Sequence, residues 1–389
     1  MKQNEIKYGQ LALLLCIIIP AGKLLSMPYI CFNQGGRDFW IGMTLSFVVD
    51  FISFVFVLWG LTLNKNNQSF KEILQNTVGK FFADVILLIF ATCFFVKFLY
   101  VLLDVLTLYT NTFVLKSDWV VFACIALFAI WFIQSRGFKV IARLAQILFI
   151  PITICLIAIS VLSLSDCSFE KLLPLVENGA QDVVKTLLTS YFMFGDGAIV
   201  MILLGDTKKS KRSQWQILLG VGSASIISIF VCVIYVALFG ELAGYGDIAI
   251  ARISQFNFNT SVAGRLDWLL ISVWILAIFL LLFTYARCFL KSVDMVFDKK
   301  AQNLPIPPKR EFWIYVVFAV AVVLLPVLVD ARSLIEEVFL FGFGRYVNIF
   351  VSVIVAFLLP LLAYLSDKKT TSKDNRANSG RISATVMEV

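Results

Sequence analysis

Two short interruptions in otherwise apolar runs carry residue types that could hold a small charged molecule inside a membrane. Phe194-Gly195-Asp196-Gly197 sets a carboxylate about half way along one run, and Pro20-Ala21-Gly22-Lys23 sets an ammonium at the same relative place in an earlier one. An ionisable group at that depth costs on the order of 3 kcal/mol unless paired or wetted, and it commonly marks a ligand or ion path. A helix broken at its midpoint also frees N–H and C=O groups that lipid cannot satisfy, so they must face a cavity, protein or water. A zwitterion can use both ends of such a site. Its carboxylate suits the N–H groups and positive half-helix end around Ala21, Gly22 and Lys23; its ammonium suits the carbonyls around Phe194 and Gly195 together with Asp196. Gly22, Gly195 and Gly197 let the backbone approach a ligand closely. A plainer reading stands beside this one, in which Lys23 and Asp196 neutralise each other and hold two helices together with no ligand between them.

The elements that must position these residues are membrane helices. The chain is 60% hydrophobic and 15% charged with a mean hydropathy of +0.90, which no soluble globule of 389 residues shows. Apolar runs of helical length predict ten spans: 11–33, 38–63, 81–111, 119–135, 140–163, 183–205, 214–240, 267–291, 312–329 and 340–365. Lys and Arg collect in alternate loops, among them Lys65, Lys71 and Lys80, then Arg136, Lys139 and Arg143, then Lys208, Lys209, Lys211 and Arg212. That bias puts both termini in the cytoplasm. The net charge of +8 is therefore an orientation signal, and without a separate basic domain it does not point to nucleic acid. The first span is too long for a signal h-region and lacks a following cleavage pattern, so no cleaved leader is expected. Residues 1–365 read as one transmembrane domain, and 366–389 as a polar, disordered cytoplasmic tail.

Ten spans divide into two sets of five, 11–163 and 183–365, each opening with an interrupted helix. Span one runs outward and span six inward, as an inverted repeat requires. Lys23 and Asp196 each lie about thirteen residues into their span, so at about 1.5 Å per residue both sit near 20 Å from their entry face. They are expected to be neighbours in depth.

Other charges fall inside spans. Lys97 and Asp104 share one helical face with Tyr100, which reads either as a polar file beside the site or as pairing with adjacent helices. Arg287 is expected to snorkel to the headgroups. Asp50 has no partner that spacing identifies. Six cysteines lie within spans as small apolar groups, while Cys31 and Cys167 both fall near the outer face, where a disulfide is one option. The small residues Gly220, Gly222, Ser223, Ser225 and Ser228 read as close helix packing. Residues 241–266 read as a lid over the outer vestibule or as a plain surface loop. No P-loop, metal cluster or activated nucleophile is present in the sequence, so neither an enzyme nor a cofactor is expected.

Several stretches resemble the B-subunit permeases of bacterial spore germinant receptors, within the amino acid, polyamine and organocation transporter superfamily. They are Gly22-Lys23-Leu24-Leu25-Ser26-Met27-Pro28, Gly137-Phe138-Lys139-Val140-Ile141-Ala142-Arg143 leading to Pro151-Ile152, Leu172-Leu173-Pro174-Leu175-Val176-Glu177-Asn178-Gly179, Phe194-Gly195-Asp196 and Gly264-Arg265-Leu266-Asp267-Trp268. Lys23 stands where that family often has a second glycine, and Asp196 where it often has glutamate. The resemblance implies a LeuT-type five-plus-five bundle in the inner spore membrane or the cytoplasmic membrane. It implies a subunit that senses a nutrient germinant, commonly an amino acid, beside a larger A subunit and a C lipoprotein. A proton-coupled amino acid transporter and a structural anchor of the complex are the competing roles. The Lys23 ammonium fills the space a sodium ion would need near the first break, so sodium independence is expected.

Overall fold

The computed structural model describes residues 6–64, 66, 68–112, 119–176, 179–203, 207–208, 211–245, 248–259, 267–298 and 306–370. The Glu177, Asn178, Gly264, Arg265 and Leu266 positions of the quoted motifs, and residues 371–389 of the tail, lie outside these. The described chain is helical apart from one pair of two-residue strands. Its helices are α1 (Tyr8–Lys23), α2 (Met27–Gly35), α3 (Phe39–Leu63), α4 (Phe70–Val78), α5 (Lys80–Thr112), α6 (Trp119–Gln134), α7 (Phe138–Ser163), α8 (Ala180–Ser190), α9 (Gly197–Ile202), α10 (Lys211–Phe239), α11 (Ala249–Asn259), α12 (Asp267–Phe297), α13 (Pro308–Leu328) and α14 (Ala331–Ile335). A last helix spans Gly344–Thr370 with a π-helical turn at Phe350–Ile354. Among the described residues, seven helices are long and apolar enough to cross a membrane, and Tyr8–Lys23 and Trp119–Gln134 are shorter apolar ones. Helical segments occupy every range predicted for a span.

Polarity is distributed as lipid demands. Phe81, Phe128, Ile147, Trp215, Leu219 and Leu328 are each more than two-thirds exposed, whereas Lys23, Asp50, Lys97, Asp104 and Asp196 are each less than 5% exposed. Such an apolar exterior around buried charges is stable only where the surrounding solvent is hydrocarbon. At the centre, α1 is packed by α7, α10 and α12, and α5 lies along α12. Small residues allow the closest approaches. A Cβ on Gly220 would stand 2.8 Å from the Ala12 carbonyl oxygen, and one on Gly42 would stand 2.8 Å from that of Val183. The small-residue stripe of α10 is thus a helix-packing surface.

Both ends of the bundle are fastened. On the face that carries the N-terminus, strand β1 (Ile6–Lys7) pairs in parallel with β2 (Thr207–Lys208), tying the entry of α1 to the segment after α9. On the same face Ser69 and Glu72 cap α4 reciprocally. Lys71 of that helix reaches the end of α12, donating to the carbonyls of Met295 and, at 2.7 Å, Asp298, where a cation suits the helix dipole. On the opposite face α11 packs on α2, α7, α10 and α12, and its Ala249 N–H donates to the Leu25 carbonyl at 3.1 Å.

Two sequence expectations are corrected, and the cysteine pair left open is settled. Arg287 does not snorkel: it is 5% exposed and donates to Glu311 Oε1 at 2.6 Å, because its side of α12 faces α13. The polar tail does not begin at Ser366, since the last helix continues to Thr370. There Gln68 Nε2 donates to Thr370 Oγ1 at 2.7 Å and Asn76 Nδ2 to Ser366 Oγ at 3.0 Å, giving those polar side chains partners on the neighbouring loop and helix. Cys31 and Cys167 are both free thiols, and the Cys167 Sγ lies 3.2 Å from the Ser163 carbonyl.

Candidate functional site

Two helix breaks face each other at the middle of the bundle. The first lies between α1 and α2. Pro28 lacks the N–H that would bond the Leu24 carbonyl, and its ring crowds that group, so the helix parts in the turn before it. Leu24, Leu25 and Ser26 are unwound, and Leu24 N–H closes α1 on the Pro20 carbonyl at 3.0 Å. Ala21, Gly22 and Lys23 are the last helical residues of α1. This moves the break from where the sequence places it: the positive half-helix end belongs to Ser26 and Met27, and Lys23 sits instead at a negative end, where its cation is favoured. Gly22 is fixed by packing, because a Cβ would lie 3.0 Å from Leu281 Cδ2 and 3.2 Å from Met193 Cε.

The second break, Tyr191–Asp196, separates α8 from α9, with Asp196 at the N-cap of α9. Gly195 has φ +90°, and a Cβ there would fall 2.1 Å from the Ser352 Cβ, so only glycine fits. Protein groups satisfy the backbone that the break frees. Gly195 N–H donates to Asp50 Oδ1 at 3.1 Å, and Lys97 Nζ donates to the Phe194 carbonyl at 2.5 Å. Asn348 Nδ2 donates to the carbonyl of Tyr191 at 2.8 Å and to that of Phe192 at 3.3 Å. By comparison, Gly197 is less constrained, since a Cβ would meet only Val57 Cγ2 at 3.5 Å.

Lys23 bridges the two breaks. Its ammonium forms a direct ion pair with Asp196, lies 3.9 Å from Asp50 Oδ2, and sits over the rings of Phe194 and Phe47, 4.6 and 5.8 Å from their centroids. Phe47 meets Phe194 edge-on at 4.7 Å between centroids, and Tyr191 stacks on Phe194 at 5.8 Å. With Lys97 the cluster holds two cations and two carboxylates and is electrically balanced. The proximity inferred from depth therefore takes the form of direct contact between Lys23 and Asp196.

Lys97, Tyr100 and Asp104 do lie on one face of α5, yet they serve different breaks. Lys97 supports the second break, as described. Asp104 Oδ2 accepts from Ser26 Oγ at 2.5 Å, and Tyr100 shares that hydroxyl at 3.0 Å, so these two support the first. The other Asp104 oxygen lies 3.7 Å from Arg332 Nη2 of α14. Sequence reasoning left Asp50 without a partner and did not single out Asn348 or Ser352. The midspan charge of Asp50 was its only signal, and the other two carry none.

An arrangement of this kind, with a neutral set of charges at two helix ends and aromatic walls, can exchange its internal ion pair for a zwitterion without changing the net charge. Comparison with known proteins agrees in outline. A family model described as "Spore germination protein" matches residues 5–334. The chain is 22% identical over 306 residues to "Spore germination protein YndE" of Bacillus subtilis (strain 168), covering 76% of this chain and 82% of that protein. It also superimposes on the crystal structure of MhsT in complex with L-phenylalanine with a TM-score of 0.60 at 18% identity, covering 92% of this chain and 87% of the other. The likeness shows a LeuT-like membrane fold. Built on that fold and matched over most of its length by the family model, the chain belongs to the spore germination protein family.

Proposed function

We propose that this protein is the membrane subunit of a spore germinant receptor, a non-enzyme without cofactors that binds a small nutrient germinant between its two broken helices and signals to partner subunits. The observation that carries this reading is the Lys23–Asp196 contact between the breaks, with Asp50 and Lys97 completing a balanced set. An amino acid is the germinant class. Its ammonium would take the carboxylates of Asp196 and Asp50, and its carboxylate would take Lys23 and the N-terminal end of α2 at Ser26 and Met27. Phe47, Tyr191 and Phe194 would contact its side chain. The L-phenylalanine in the crystal structure of MhsT, a protein of similar fold, supports an amino acid over a sugar or nucleoside. Ten spans, a five-plus-five inverted repeat, cytoplasmic termini, and an A subunit and C lipoprotein as partners complete the proposal.

The test is a thermal-shift screen of the purified protein against amino acids, sugars and nucleosides, beside Asp196→Asn and in sodium or potassium salt. A saturating ligand stabilises by about 2.7 kcal/mol at a hundred times its Kd. One amino acid should stabilise the wild type, not the variant, and equally in both salts. The direct ion pair favours a second reading, a closed structural lock, which predicts that no compound shifts either protein. In that case recognition would belong to a partner subunit.

A further inference from the structure

Away from the charge cluster, a lateral cavity of about 930 Å³ opens between α1, α7 and α10 on the side of the bundle nearest the N-terminus. One end is polar, lined by Lys7, Gln10, Gln146 and Gln216. The remainder is mostly apolar, with Leu13, Phe149 and Leu219 as walls and Gly220 in the floor. Three glutamines around one opening are unusual on a face turned to hydrocarbon, where a side-chain amide without a partner is costly. Gln10 Nε2 donates to Gln146 Oε1 at 3.0 Å, which uses only part of their capacity. Lys7 is exposed and has no carboxylate within ion-pair distance among the described residues. Exposed Arg143 stands one turn before Gln146 on the same side of α7.

We infer that this slot binds an anionic phospholipid from the leaflet next to the N-terminus, with its phosphate at Lys7, Arg143 and the glutamines and one acyl chain along Leu13, Phe149 and Leu219. The charge and polarity gradient match such an amphiphile, with a charged and amide-lined end beside an apolar trough. Amide donors suit phosphate oxygens, and two cations select an anionic over a zwitterionic headgroup. From Gly9 to Cys16 the slot runs about 10 Å along α1, enough for the upper part of an acyl chain. Because α1 supplies one wall and ends at Lys23, an occupied slot holds the first half of the broken helix against α7 and α10.

The full chain, purified in detergent, is titrated with phosphatidylglycerol and with phosphatidylcholine while thermal stability is recorded. Each surface cation contributes about fivefold, so phosphatidylglycerol should bind about 25-fold more tightly than phosphatidylcholine. A Lys7→Gln/Arg143→Gln variant should lose that preference, and Leu219→Trp, at a residue 70% exposed, should block the slot. Both variants should melt like the wild type without lipid, since they alter exposed side chains. Equal binding of the two lipids by the wild type would overturn the proposal, as would a preference that survives in both variants. A Cys16-to-Cys16 cross-link between two copies in phosphatidylglycerol vesicles would assign the slot to a second chain and would also overturn it. None of these readouts requires a germinant, so they stand or fall apart from the receptor reading.

Discussion

Removing one partner from the central ion pair should have unequal effects, depending on which partner is lost. Breaking a buried pair costs about 3–5 kcal/mol, chiefly because it strands the remaining charge. In Asp196→Asn, Lys23 keeps Asp50 at 3.9 Å, an attraction of about 4 kcal/mol at an effective dielectric of 20. The loss should therefore lie near the low end, about 3 kcal/mol. Lys23→Met strands two carboxylates, with Lys97 as the one cation left in the cluster and that ammonium directed at the Phe194 carbonyl. Its loss should lie near 5 kcal/mol. The double variant Lys23→Met/Asp196→Asn leaves one carboxylate, Asp50, and one cation, Lys97, in the cluster and should recover about 1.5–3 kcal/mol relative to the sum of the singles. Unfolding of the four proteins in one detergent, without ligand, measures the cycle. If Asp196→Asn proves the more damaging single, or if the double variant is simply additive, Lys23 does not have the bridging role drawn here.

Gly195→Ala should prevent a stable fold, whereas Gly197→Ala should melt within about 1 kcal/mol of the wild type, since an added methyl meets Ser352 at 2.1 Å in one case and Val57 at 3.5 Å in the other. Expression and thermal melting of the two variants in parallel check this. Arg287→Met should destabilise by about 3–5 kcal/mol by stranding Glu311, and adding Glu311→Gln should restore part of it, measured as a rise in melting temperature. Ser26→Ala should cost about 1–3 kcal/mol through the lost donor to Asp104, an effect that Asp104→Asn should shrink in a double-mutant cycle.

Much of this was legible because hydrocarbon makes charge placement informative. Lys23 and Asp196 stand out against apolar runs, and equal depth brings them together. What sequence could not give was rotation about the helix axes. Lys97 and Asp104 share a face, but seven residues separate them by about 10 Å, far enough to reach different breaks. Arg287 lies where snorkelling is usual, and only the packing of α13 shows that its side of α12 is interior. The sequence places the first break at Pro20-Ala21-Gly22-Lys23, where a proline, a glycine and a charge interrupt the apolar run. The chain instead parts before Pro28, and α1 passes through Pro20 with helical geometry. The Asn348 and Ser352 contacts were hidden because amides and small hydroxyls in a long apolar helix have no distinguishing pattern.

The single backbone bond from Ala249 N–H to the Leu25 carbonyl has a practical consequence for mutational mapping. Both atoms belong to the main chain, so an alanine or cysteine scan passes over the link without disturbing it. Yet that bond fastens α11 to the unwound turn, and its loss would take the Ala249 donor from the Leu25 carbonyl. Such a latch is erased only by removing the N–H itself. Proline at position 249 does this where a helix tolerates it, in the first turn of α11.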